Sequence, residues 1–356
     1  MKKINTMRAA GGLLIATLLT TSAVSGTYAK YVSGGSAGDT ARVAKWGVVI
    51  SATGNLFSKN YLDADENTPT ASTTDADISV ESSNTDMLVA PGTKSATGLS
   101  FSISGTPEVD ALVTAKIDTK DVYLAEGSYG LMKPITITDN AAFNAAVDNG
   151  NLFSLSDKAY TPLSTTTDTT TGTVTYPTFT SGTTYYQLDT ATIAKVAEGG
   201  YYPVVFKYGS STSKKAVDIG GEIAKALNGD TDLTAAQKTV ANGTTTYSIS
   251  KTYDSNTDLA TELATNNQSL SWEWVYNGAI GDAWNNVDYE DTILGDLAAG
   301  TTGVVTLTYD TTDTTKITGA TAISADATTG LVSDGTNTLG CIRETFNISM
   351  TAVQVD

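Results

Sequence analysis

Leu99-Ser100-Phe101-Ser102-Ile103-Ser104-Gly105-Thr106-Pro107-Glu108-Val109-Asp110-Ala111-Leu112-Val113-Thr114-Ala115-Lys116-Ile117 decides the fold class. Leu99, Phe101 and Ile103 alternate with serines, and Ala111, Val113, Ala115 and Ile117 again fall at every second position. A period of two puts alternate side chains on one face of a pleated strand, so both runs read as half-buried strands. Gly105, Thr106 and Pro107 supply turn chemistry between them, which predicts a hairpin.

Working outward, residues 39–50 read as the first strand, with Ala44, Trp46, Val48 and Ile50 on one face and Val43, Lys45 and Val49 on the other. Trp46 is the expected core anchor. Met87 to Val89 end a strand at the Pro91-Gly92 turn. Toward the C-terminus, residues 270–276 alternate large apolar with polar side chains, and 304–309 make another strand. The last strand, 342–355, carries Phe346, Ile348 and Met350 on one face but Val353 and Val355 on the other. That change of phase predicts a bulge near Thr351 or Ala352.

From about 118 to 267 the alternation loosens. Short helical patterns occur at 140–147, 191–197, 220–227 and 258–264, each closed by Gly or Asn, with a further one at 289–297. Strands at 201–208 and 244–249 and a Thr-rich loop at 164–175 separate them. The expectation is an all-β chain, a jelly-roll-like β-sandwich over 41–356, with an inserted region of short helices and strands at 118–267. A separate domain is the alternative for that region.

Composition removes many functions. The 356 residues contain no His, so a Ser-His-Asp triad, a Cys-His pair and an H-E-x-x-H zinc site are all absent. Cys341 is alone, which excludes an intrachain disulfide, and it reads as a small buried residue. A net charge of −17 with scattered Lys and Arg argues against nucleic acid as a partner. Hydrophobic residues at 40% are sufficient for a core, so disorder is not expected.

The N-terminus has three zones: Lys2, Lys3 and Arg8, an apolar run from 11 to 19, and small residues up to Thr27-Tyr28-Ala29. That order reads as a secretory signal over 1–29, cleaved between Ala29 and Lys30. An uncleaved anchor is the competing reading, but the run is shorter than the ~20 apolar residues a span needs. The only membrane contact expected is through the uncleaved signal. No wall-sorting tail follows Asp356, so covalent wall anchoring is not expected.

Three sets of residues invite chemistry, and each has a plainer reading. Asp63, Asp65 and Asn67 alternate like a calcium loop, yet Thr68 and Thr74 stand where Gly and a bidentate Glu belong, which leaves an acidic solvated loop. Trp272 and Trp274 would suit ligand contact as a sugar-stacking face, with Tyr185, Tyr186, Tyr201 and Tyr202 as further candidates; core or cross-strand packing is the alternative. Asp288, Glu290 and Asp291 form the densest carboxylate group, enough for a glycosidase pair, and equally ordinary in a first helical turn. No catalytic residue, metal or cofactor is expected.

Several stretches resemble the TasA/camelysin family of Gram-positive secreted proteins. They are Gly26 to Ala29, the run Ala41-Arg42-Val43-Ala44-Lys45-Trp46-Gly47-Val48, the segment Leu88 to Thr93 with Phe101 to Val109, and the ending Ile348 to Asp356. The resemblance covers the first 117 residues and the last hundred; the middle departs from it. It implies a signal peptidase of the SipW type as processing partner and a jelly-roll subunit of biofilm-matrix fibres as product. It further implies that the segment freed by cleavage, 30–40, inserts as a strand into the next copy, giving a head-to-tail homopolymer. On this chain the donor maps onto Lys30, Tyr31 and Val32 and runs into Val43, Trp46, Val48 and Ile50. The metalloprotease activity described for camelysin-like members lacks its His ligands here. A secreted adhesin or carbohydrate-binding module is the alternative function.

Overall fold

The computed structural model describes residues 45–54, 56–57, 60–63, 79–81, 89, 93–95, 98–263, 268–274 and 290–355. The chain is all-β, with antiparallel sheets and a few helices. The strand Ala111–Lys120 is central to a four-stranded sheet, because it pairs with Thr244–Tyr253 on one side and Thr345–Gln354 on the other. Its alternation is realised in burial: Ala111, Val113 and Ile117 are each 0% exposed.

A second, eight-stranded sheet is built around Ser269–Trp274. Val204–Tyr208 pairs along one side of it, and Leu99–Ser104 and Thr93–Ser95 share the other. The two sheets enclose one core, in which Phe206 and Phe346 approach across the layers with ring centroids 6.0 Å apart. The helix Ala216–Leu227 contacts both sheets, burying Ile219, Gly220, Ile223 and Leu227 at helical spacing. Gly220 sets the closeness of that packing, since a Cβ there would lie 2.7 Å from Cγ2 of Thr119. The hydroxyls of Tyr247 and Tyr253 donate to the carbonyls of Val217 and Leu227, so one strand grips the helix at both ends.

Beside this body six strands close into a barrel in the order Ala159–Pro162, Ile317–Ala322, Val304–Tyr309, Gly127–Ile135, Tyr185–Val196 and Phe153–Ser156. Met132, Phe153, Tyr160, Leu188, Val305 and Leu307 are buried together in its core. Helix Asn140–Asp148, capped by Asp139 accepting from the Ala142 N–H at 2.8 Å, covers a small third cluster around Phe143 and Tyr185.

Five expectations need correction. The runs around Gly105 are strands but not a hairpin: Leu99–Ser104 pairs in the eight-stranded sheet and Ala111–Lys120 in the four-stranded one. Gly105, at φ +104°, and Pro107 carry the chain from one sheet to the other, and their carbonyls accept from the Leu259 and Asn256 N–H groups. The region expected as a helix at 191–197 is strand up to Val196, because Gly127–Ile135 offers Ala194, Lys195 and Val196 a ladder. The register slip between Asp189 and Ala194 is bridged by Thr192, whose hydroxyl accepts from the Leu131 N–H and donates to the Asp189 carbonyl.

The last strand has no bulge: its register against Ala111–Lys120 runs unbroken from Thr345 to Gln354, with Ala352 continuing the inner face and Val353 outside at 50% exposure. Among the described residues the first strand begins at Val49, and Trp46 is half-buried ahead of it rather than a core anchor. Nor does 118–267 separate as an insertion, since Thr244–Tyr253 and Val204–Tyr208 are integral to the two main sheets. The helices expected at 140–147, 220–227, 258–264 and 289–297 occur as Asn140–Asp148, Ala216–Leu227, Leu259–Glu262 and Glu290–Ala298.

Candidate functional site

The residues expected to act in assembly lead to a seam between the main sheets. Val49–Thr53 pairs only with Leu99–Ser104, and Thr345–Gln354 only with Ala111–Lys120, among the described residues. Although they belong to different sheets, these two edge strands adjoin. Each displays backbone N–H and C=O groups on its outer side that another strand can satisfy. Val48, Ile348, Met350 and Ala352 are half-buried and pack on the core along this seam, while all five residues of Val49–Thr53 are exposed, Val49 at 59%.

The chain enters the seam from a fixed point. The Lys45 N–H donates to Oε2 of Glu108 at 2.8 Å, and the Glu108 N–H donates to the Lys45 carbonyl at 3.2 Å. Gly47 and Gly105 allow the backbones to touch: a Cβ on Gly105 would fall 1.7 Å from the Gly47 carbonyl oxygen. Ile50 lies on the edge strand at 37% exposure. Ala29, Lys30, Tyr31, Val32 and Val43 lie outside the described residues, as does the signal over 1–29.

The tryptophans are not a ligand face. Trp272 is 1% and Trp274 7% exposed. The Trp272 indole N–H donates to the Leu56 carbonyl, and its ring meets Phe57 at 5.9 Å, so core packing accounts for both its apolar body and its polar tip. Of the tyrosines, Tyr185 is buried, and Tyr186, Tyr201 and Tyr202 are half-buried.

No family model, curated protein or solved structure matches the chain.

The other candidate chemistry falls mostly outside the described residues. Among the described residues no group of three or more His, Cys, Asp or Glu could hold a metal ion. Asp65, Asn67 and Asp288 lie outside the described residues, as do the side chains of Asp63, Glu290 and Asp291. Cys341 is fully buried, and burial pushes its thiol pKa up, away from the reactive thiolate.

Residue-by-residue reading missed a polar cluster at the Lys120 end of the ladder between Ala111–Lys120 and Thr345–Gln354, the end away from the Lys45–Glu108 anchor. Lys120 is 6% exposed, and its ammonium donates to the Thr329 carbonyl. Next to it, burial raises the Asp121 carboxyl from 3.8 to about 6, even though the Ala216 and Val217 N–H groups donate to it. Burial, and then the neighbouring Asp121, hold the Glu344 carboxyl well above its usual 4.5. The only signal in the sequence was a carboxylate at the end of one ten-residue strand and another at the start of its partner.

Proposed function

We propose that the chain is a secreted structural subunit that assembles into extracellular fibres by strand donation after its signal is removed. The observation that carries this reading is the seam: adjoining open edges, half-buried apolar side chains between them, and a segment that enters beside them from an anchor at Lys45. Adding a strand satisfies backbone groups without demanding particular side chains. A head-to-tail contact of this kind does not close on itself, so it propagates. The resemblance to TasA/camelysin proteins supports the same reading, together with a jelly-roll description of the sandwich and processing by a SipW-type peptidase. Burial of Trp272 and Trp274 weakens the adhesin alternative.

The donor residues are Lys30 to Asp39; Trp46, Val48 and Ile50, expected as part of the donor, follow the Lys45–Glu108 anchor, and Ile50 pairs with Ile103 of its own chain, so the donated part ends ahead of Lys45. Ten extended residues reach roughly 33 Å, enough to run the length of the Thr345–Gln354 edge. Deleting 30–39 from the processed chain should leave a folded monomer that forms no fibres at any concentration in electron micrographs. Fibres at undiminished yield would overturn the scheme. N-terminal sequencing of the secreted product should begin at Lys30.

A further inference from the structure

Ala111–Lys120 pairs with Thr345–Gln354 in one sheet, and a few residues away Tyr123–Leu124 pairs with Thr338–Cys341 in another. Between the two sheets both chains turn a corner, through Asp121 and Val122 on one side and Ile342, Arg343 and Glu344 on the other. The ladder is interrupted there, and carboxyl groups take over its bonds. The Val122 N–H donates to Oε2 of Glu344 at 2.9 Å. Asp121 accepts the Ala216 and Val217 N–H groups that open helix Ala216–Leu227, where Lys215 supplies no side-chain cap. Two carboxyls therefore tie two strands and a helix start to one point.

The second oxygen of Glu344 is the anomaly. Part of the residue reaches the surface, yet Oε1 is buried and has no hydrogen-bond partner among the described residues. An ionised carboxylate with an unsolvated oxygen beside another acid is costly, whereas a neutral carboxyl there is tolerable. The titratable and charged groups around the pair come from each packed element. They are Lys120 and Tyr123 on the first stretch, Cys341 on the second, Tyr202 ahead of Val204–Tyr208, Lys215 and Asp218 at the helix, and Tyr247 on the strand beneath the helix. Lys120 and Lys215 are the cations of this set, and Lys120 is engaged by Thr329.

We infer that this corner is a proton-operated clasp: a protonated Glu344 holds the two strands and the helix start together, and its ionisation beside Asp121 loosens them. The sign follows from the raised carboxyls. Folded protein holds these protons more tightly than the unfolded chain, so their stabilisation is complete below the ordinary carboxylate range. It is lost as pH rises through about 6, where Asp121 ionises, and as Glu344 ionises above the ordinary carboxylate range.

The test is amide exchange on the processed full chain between about pH 5 and 8, corrected for intrinsic rates. Protection at Val122, Ala216 and Val217 should fall at least ~10-fold across that range, the equivalent of one pKa unit, while amides of Gly127–Ile135 hold theirs. Glu344→Gln, which keeps the shape and removes the charge, should flatten most of that fall. A wild-type profile that does not change with pH overturns the clasp, as does a fall that Glu344→Gln retains in full. If that variant does not fold, a carbon-13 titration of the wild-type Glu344 carboxyl decides: a midpoint in the ordinary range near 4.5 overturns it, and a higher one supports it.

Discussion

The indole N–H of Trp272 donates to the carbonyl of Leu56 at 2.6 Å, joining residues 216 positions apart. Both are buried, so neither group has water as an alternative partner. Trp272→Phe should keep much of the packing but orphan that carbonyl, costing about 1–3 kcal/mol. Trp272→Ala should cost about 3–5 kcal/mol through the cavity. Urea denaturation measures both; a phenylalanine variant as stable as wild type would show that the bond contributes nothing.

Gly105 should not tolerate a side chain. Its φ of +104° and the 1.7 Å that would separate an added Cβ from the Gly47 carbonyl oxygen act together. Gly105→Ala is expected to lower stability by more than ~1 kcal/mol, and to loosen the 45–48 segment that leads into the seam. Thermal melting, with proteolysis near residue 45 as the local readout, checks both effects.

At the seam, Val353→Lys replaces a side chain that is already 50% exposed. Stability should move by less than ~0.5 kcal/mol, whereas a charge beside the open edge should hinder the approach of another strand. Sedimentation velocity on processed protein should show a shift from fibres toward monomer. Wild-type fibre yield from this variant would remove the 345–354 edge from the assembly scheme.

Cys341 should resist thiol reagents in the folded protein. It is 0% exposed with a raised pKa, and its thiol contacts the Arg343 carbonyl at 3.5 Å. Maleimide labelling should require denaturant. Rapid labelling in native buffer would mean that the 338–345 corner opens readily.

Strand periodicity was readable because burial on a pleated face imposes it residue by residue. Leu99 to Ile103 and Ala111 to Ile117 show the pattern plainly, and both are strands. Their partners were not readable, because pairing depends on residues such as Thr245 and Thr345 that lie over a hundred positions away. The region 191–197 misled for a related reason: a short helical spacing yields when a neighbouring strand satisfies its backbone. The same holds at the site. Trp272 and Trp274 carried an aromatic signal whose meaning, core or ligand face, burial alone decides, whereas Glu344 and Asp121 become neighbours only through the corner.

The central position of Ala111–Lys120 also fixes when the molecule can take shape. One of its neighbours, Thr345–Gln354, lies far along the chain from it, and the barrel likewise waits for Val304–Tyr309 to join Gly127–Ile135. Such distant pairings fold slowly, because long loops must close before any contact rewards them. A nascent chain therefore lacks its central sheet until both distant partners of Ala111–Lys120 have been made.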